Sequence, residues 1–441
     1  MTRCLALLAF SALVMACGPR HQTVDAGPDD AGIDAGVDAG RVRGDDPPTG
    51  WSVAIPTPAD AGSLTHYGVS VSSTGDQFGQ PLIAGLIDDP NADGDRSDTR
   101  LIFTRWDGTA RAFAPSQLIE VVGAIDVSHP NRQVSIARDD VTGRIGIAYV
   151  KSDQSLRLAF SDDEGANFTL VAVSTSPGAY SNPSLVLHDG VTHLAYQKGT
   201  TLTYATGASS LVEQPVPGPA VGLAAPVSLV LDSAFEPGVA YFQLVGAGPA
   251  AAVAFWRPGS MPTVIADSNG VDVSPSLLRP SVALTFVGTT PHVAYHLRRT
   301  VETNTDSDPE LFYAVATDGT GTTWKTPVAI PRNDTGLGAF HSTRWYEAIA
   351  VDTMGNLAIG ANFYLHGGVT LCGGPKLARS TDGLTFQTCA PNPTPVQFAG
   401  TWLTMWHHRP GKLTMVFAYD LPEGSRANPL IKPGFLIWRE P

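Results

Sequence analysis

Positive charge is scarce in this chain. Lys and Arg together number 28 against 41 Asp and Glu, giving the 441 residues a formal net charge of -13. That balance argues against a nucleic-acid binder, which would need a basic face. Charged residues of both signs make up only 16 %, below the about 25 % usual in soluble domains. Long apolar runs are also missing. Beyond the first 17 residues none approaches the about 18 needed to cross a bilayer, so no permanent membrane span is expected. Cysteine is rare, with 4 in all. What is present is 43 % hydrophobic residues, 45 Gly and 35 Pro. This is ample material for a core, which excludes a wholly disordered chain. Abundant Val, Ala, Thr and turn residues point to β-structure with many tight connections.

Residues 1–17, MTRCLALLAFSALVMAC, place Arg3 before an apolar run from Leu5 to Met15. The run is too short to span a membrane and reads as a signal peptide. Its end, Val14-Met15-Ala16-Cys17, resembles the lipobox of bacterial lipoproteins, with Met15 a departure. The resemblance implies cleavage before Cys17 and its acylation, and Gly18 after it implies the outer membrane of a Gram-negative bacterium. A plain secretory signal is the alternative. Residues 18–50 carry Asp-Ala-Gly at 25–27, 30–32, 34–36 and 38–40. With so few apolar side chains the segment cannot offset its ordering entropy, and it reads as a disordered tether.

Residues 51–441 are internally repetitive. Ala-Tyr recurs at Ala148-Tyr149, Ala195-Tyr196, Ala240-Tyr241, Ala294-Tyr295 and Ala418-Tyr419, each after a strand-like stretch and a turn. Further strand-like stretches follow each dyad. Seven such units predict an all-β domain, a β-propeller of seven four-stranded blades. A six-bladed ring with one irregular unit and a β-sandwich are the alternatives. The last unit lacks a fourth strand, and Trp51–Pro56 echoes the fourth strand of the fifth unit. Residues 51–56 are therefore expected to join the C-terminal blade and close the ring.

Ser161-Asp-Asp163-Glu-Gly165-Ala-Asn-Phe168 matches the Asp-box of sialidase-type (BNR) propellers; Ser380–Phe386 and Thr317–Trp324 are degenerate versions. In that family the box is structural and lies away from the active site. The opposite end of the ring should gather the candidate ligand-binding residues His129, Arg132, Tyr180, Asn182, Arg279, His341, Arg344, Tyr346 and Trp402, with Trp406, His407 and His408 after them. The plainer reading of each is that it closes its own turn. The resemblance further implies that, in an enzyme, Arg132, Arg279 and Arg344 would hold a sugar carboxylate and Tyr346 or Tyr180 with Glu347 would form the nucleophile pair. The family's Arg-Ile-Pro motif is missing, those enzymes have six blades, and the acid has only Asp126 as a candidate. No Gly-x-Ser-x-Gly elbow supports a serine hydrolase.

Asp89, Asn91, Asp93, Asp95 and Asp98 alternate around a Gly turn and resemble the start of a calcium loop, though Arg100 replaces its terminal Glu. The alternative is an acidic solvated turn. In an exported chain Cys372 and Cys389 are expected to form a disulfide; a two-cysteine metal site is the alternative. No organic cofactor is expected. The leading reading is a monomeric, tethered module that binds a glycan or cell-surface protein, the bilayer being met through Cys17. The alternative is an exo-glycosidase, and a periplasmic scaffold lipoprotein is a third reading.

Overall fold

Apolar residues on both faces of a short strand must be covered on both sides, and here each small sheet is covered by the next. The computed structural model describes residues 49–54, 68–87, 99–123, 133–173, 180–221, 227–245, 251–268, 281–297, 310–330, 341–343, 348–365 except 353, 374–389, 400–409, 411–419 and 434–440. Among them there is no helix. The strands form seven antiparallel sheets. In the second blade they are Val134–Arg138, Ile145–Val150, Leu156–Ser161 and Thr169–Ala172. In the third they are Tyr180–His188, Val191–Lys198, Thr201–Gly207 and Val212–Pro215. In the fourth they are Ser228–Leu231, Pro237–Leu244, Ala251–Trp256 and Thr263–Asp267. The fifth runs from Ser281–Val287 through Thr290–Leu297 and Glu310–Val315 to Val328–Ala329.

Two blades are less regular than the repeats suggest. In the first, Gly68–Gly75, Pro81–Ile87 and Arg100–Asp107 are followed by a two-residue pairing of Ala112–Phe113 and then a true outer strand, Gln117–Val121. In the sixth, the inner strand comes in two pieces, His341–Thr343 and Ala348–Val351, beside Leu357–Leu365, Gly374–Ser380 and Gln387–Cys389. The seventh blade is Gly400–Arg409, Lys412–Tyr419 and Gly434–Arg439, completed by Gly50–Ala54. The closing pair is antiparallel, with Trp51 opposite Trp438 and Val53 opposite Leu436. The inner strand of every blade packs on the inner strands of both neighbours around a full circle. The fold is a closed seven-bladed β-propeller.

The core is divided into seven clusters, one in each seam between blades. Tyr149, Tyr196, Tyr241 and Tyr295 of the Ala-Tyr repeats are all at most 2 % exposed, each filling the seam toward the preceding blade. Strand direction defines two ends. First-to-second and third-to-fourth turns lie at one, the turn end. Second-to-third connections and blade crossovers lie at the other, the loop end.

Inner strands of neighbouring blades diverge, so their backbones cannot form a ladder. Serine hydroxyls bridge the gap instead. Ser72 Oγ accepts from the Ile136 N–H at 3.1 Å, Ser135 from Leu185 at 3.0 Å, Ser184 from Leu229 at 3.0 Å and Ser228 from Leu284 at 3.0 Å. Ser73 and Thr404 join hydroxyls across the closing seam. Ser184→Ala would leave the Leu229 N–H without its buried acceptor. The expected cost is about 1–3 kcal/mol, read as a lower urea midpoint with an unchanged slope.

The turn end is organised by carboxylates. Ser161 Oγ donates to Asp163 Oδ1 at 2.7 Å and accepts from Gly165 N at 2.8 Å. Asp163 also takes the N–H and side-chain amide of Asn167, and with the amide as the larger cause its pKa is held at about 2. The Ser380 turn repeats this through Asp382, which accepts from Thr385 and Leu384 N–H groups and is likewise held at about 2. In the fifth blade, Asp318 Oδ1 accepts from Thr320 and Gly321 N–H groups. The aromatic ending each turn meets one on the preceding blade edge-on: Phe168 on Phe103, Trp324 on Phe255, Phe386 on Tyr313.

A half-buried histidine and a buried aspartate at this end tie stability to pH. His292 Nδ1 lies 2.6 Å from Tyr313 Oη, and burial, then Lys325, lowers its pKa from 6.5 to about 4. Burial pushes the Asp139 carboxyl up, but N–H donors from Gly190, Val141 and Thr142 outweigh it and hold it at about 2. The unfolded chain therefore protonates first at both sites. Stability is expected to fall by up to about 3 kcal/mol as pH drops from 6.5 to 4 through His292, then further toward pH 2 through Asp139. Melting temperatures measured from pH 7 to 3 check this, with His292→Gln reducing the slope above pH 4; His193 and His407, also lowered by burial, supply the rest.

Candidate functional site

The loop end is where crossovers and second-to-third connections converge. Of the residues selected there from sequence, His129, Arg132, Arg279, Arg344, Tyr346, Glu347 and Asp126 lie outside the described residues. So do Asp89, Asn91, Asp93, Asp95 and Asp98 of the calcium loop, and Cys17 and Cys372. Cys389 ends the outer strand of the sixth blade. His341 begins that blade's inner strand opposite Leu365, and Trp402 lies near the start of Gly400–Arg409. Among the described residues no group of three or more His, Cys, Asp or Glu is placed to hold a metal ion.

Trp406, His407 and His408 belong to the other end. Their strand runs from the loop end to the turn end and carries them away from the loop end. Trp406 Nε1 donates to Gly79 O across the closing seam, and His408 Nδ1 pairs with Thr414 Oγ1 at 3.0 Å.

Tyr180 opens the third blade's inner strand, 5 % exposed, with Lys198 Nζ 5.6 Å from its ring centroid. Asn182 is fully buried with φ 54°, in a bulge between Ser181 and Ser184 that turns its side chain inward. Its amide donates to Gln197 Oε1 at 3.3 Å. Gln197 Nε2 then donates to Gly199 O at 2.9 Å and Val221 O at 3.0 Å. Asn182 thus acts two steps behind a surface.

That surface is the wall of a cleft of about 230 Å³ at the loop end, between the third and fourth blades. Thr200 and Thr201 form its rim, and Leu202, Val216, Val221 and Tyr241 its buried floor. The N–H groups of Val216 and Val221 bond Leu202 O at 2.9 Å and Thr200 O at 2.7 Å, so residues 216–221 arch over the edge of the blade. Gly218 has φ 127° in this arch. Tyr241 Oη donates to Gln243 Oε1 at 3.4 Å, near the limit of a hydrogen bond. Burial pushes the Tyr241 hydroxyl pKa well up, so the group stays neutral. No carboxylate, Lys or Arg lines the cleft. The cleft offers hydroxyls, backbone groups and apolar walls. Sequence reading overlooked it because its members are spread over 42 positions and meet only through strand register.

No protein-family model matches the chain, and no curated protein matches its sequence. Among solved structures, the fucose-specific lectin of Aleuria aurantia is 15 % identical with a TM-score of 0.42, over 80 % of this chain and 100 % of that one. An α-L-arabinofuranosidase of Fusarium graminearum is 13 % identical with a TM-score of 0.46, over 88 % and 97 %. AofleA of Arthrobotrys oligospora is 13 % identical with a TM-score of 0.43, over 76 % and 95 %. Likeness at this level assigns no activity.

Proposed function

We propose that this chain is an exported lipoprotein, acylated at Cys17 and tethered by residues 18–50 to the outer membrane of a Gram-negative bacterium, whose propeller binds a glycan without turnover. The cleft at the loop end carries this reading. Apolar walls suit the C–H faces of a sugar, and hydroxyl and backbone groups suit its alcohols. Most glycoside hydrolases use a pair of carboxyl groups, and the cleft lining holds none. The serine–aspartate turns at 161–168 and 380–386 support kinship with Asp-box propellers. A calcium ion held by Asp89, Asn91, Asp93, Asp95 and Asp98, and a Cys372–Cys389 disulfide, complete the proposal.

The test applies purified full-length chain to a glycan array and, in parallel, to chromogenic glycosides. Binding without sugar release is the expected result. Release abolished by Arg344→Ala or Glu347→Ala would replace the binder with the glycosidase reading. Neither binding nor release would discard both readings and leave a cell-surface protein as partner.

A further inference from the structure

Resting on the glycan reading, we infer that the cleft between the third and fourth blades binds one neutral sugar ring, and that it exists because the charged pair closing an equivalent seam has been replaced. The repeats make the comparison internal. In the first blade, Leu101 pairs with Glu120 on the outer strand. The Glu120 carboxylate accepts from Tyr149 Oη of the second blade and from Lys151 Nζ at 2.5 Å. Tyrosine, carboxylate and lysine thus close the loop end of that seam. Tyr196 in the third blade meets the same pair of groups, though from its own blade: its hydroxyl donates to Glu213 Oε1 at 2.6 Å on the outer strand and Lys198 Nζ lies 3.1 Å from Oε2.

Register identifies the counterparts in the seam between the third and fourth blades. Phe103 is opposite Ala84 and Tyr204 opposite Ala195, so Leu202 is the counterpart of Leu101. The residue bonded to Leu202 is Val216, which stands where Glu120 stands. Tyr241 corresponds to Tyr149, and two residues later Gln243 takes the place of Lys151. Glutamate has become valine and lysine has become glutamine. The tyrosine hydroxyl, which in Tyr149 and Tyr196 donates to a carboxylate, here has only the long bond to Gln243, and Tyr241 lines the open volume.

The replacement also sets the ligand class. Restoring Glu and Lys would fill the space, and with neither present an incoming anion finds no cation. A sialic or uronic acid carboxylate would lose water there without a partner, which is unfavourable. A neutral ring loses only water that the Thr200, Thr201 and Tyr241 hydroxyls and the arch backbone replace.

The experiment uses the full-length chain, an array of neutral and anionic glycans, and two variants. V216E/Q243K rebuilds the first seam's arrangement inside the cleft; Tyr241→Phe removes only the hydroxyl. The expected result is binding to neutral glycans that weakens at least about 10-fold in V216E/Q243K and about 3- to 10-fold in Tyr241→Phe. Tyr241→Phe keeps the buried ring and loses only the long bond to Gln243, so it should stay folded with a small fall in melting temperature, and it decides the matter if the double variant folds poorly. Glycan binding unchanged in Tyr241→Phe and in a folded double variant would overturn the cleft and leave the glycan reading standing. Preference for sialylated or uronic glycans would overturn the ligand class. A wild-type chain that binds no glycan would overturn the glycan reading itself, and the cleft assignment with it.

Discussion

Deleting residues 49–54 is expected to open the ring. Those residues supply the whole outer strand of the seventh blade, with five residue pairs from Gly50–Arg439 to Ala54–Phe435. At about 0.5–1.5 kcal/mol for each of about five hydrogen bonds, their loss costs about 2.5–7.5 kcal/mol. It also leaves the unpaired edge of Gly434–Arg439, which invites pairing with another chain. The deletion variant should melt at lower temperature and form oligomers on size exclusion. Moving the same strand sequence behind Pro441 through a short turn should restore both properties, because the two segments already lie side by side and antiparallel. A deletion variant with wild-type melting and a monomeric profile would mean that the seventh blade does not need its fourth strand.

Gly165→Ala is expected to be a strongly damaging single methyl addition. Gly165 has φ 88°, and a Cβ there would lie 2.2 Å from Phe103 Cε1. Left-handed strain contributes about 1–2 kcal/mol and the forced displacement of Phe103 about 1–3 kcal/mol, for a total of about 2–5 kcal/mol. Gly190 is the matched control. It has φ 74° with nothing within 4 Å of a Cβ, so Gly190→Ala should cost only the strain. Urea titration of both variants separates backbone conformation from packing. Equal losses would show that Phe103 yields freely and that the turn is not wedged against the first blade.

Much of this architecture was legible in the sequence, and the reason is local. The Ala-Tyr dyads mark second strands because a small residue and a large one alternate across each seam. Tyr149, Tyr196, Tyr241 and Tyr295 are accordingly buried. The closing strand was legible because the last unit was one strand short. The serine bridges were not, since an inner-strand serine such as Ser184 or Ser228 looks like any polar residue in a strand until the next blade is placed beside it. Nor was the true outer strand of the first blade, because the brief pairing at Ala112–Phe113 precedes it. Asn182 was chosen as a polar residue in a crossover; its positive φ, invisible in sequence, turns it into the blade. The cleft was the hardest to see. It is defined by Val216 and Gln243 not being charged, and this acquires meaning only once register sets them against Glu120 and Lys151.

The closing strand also determines how the molecule bears load. It enters at the turn end, where Gly50 faces Arg439, and runs toward the loop end. Traction on the N-terminal segment, resisted by something gripped at the cleft, is directed along that strand. Its five pairs then resist in shear and must yield together, where a sideways pull would peel them apart one after another. The loop end also points away from the side at which Gly50 enters the ring.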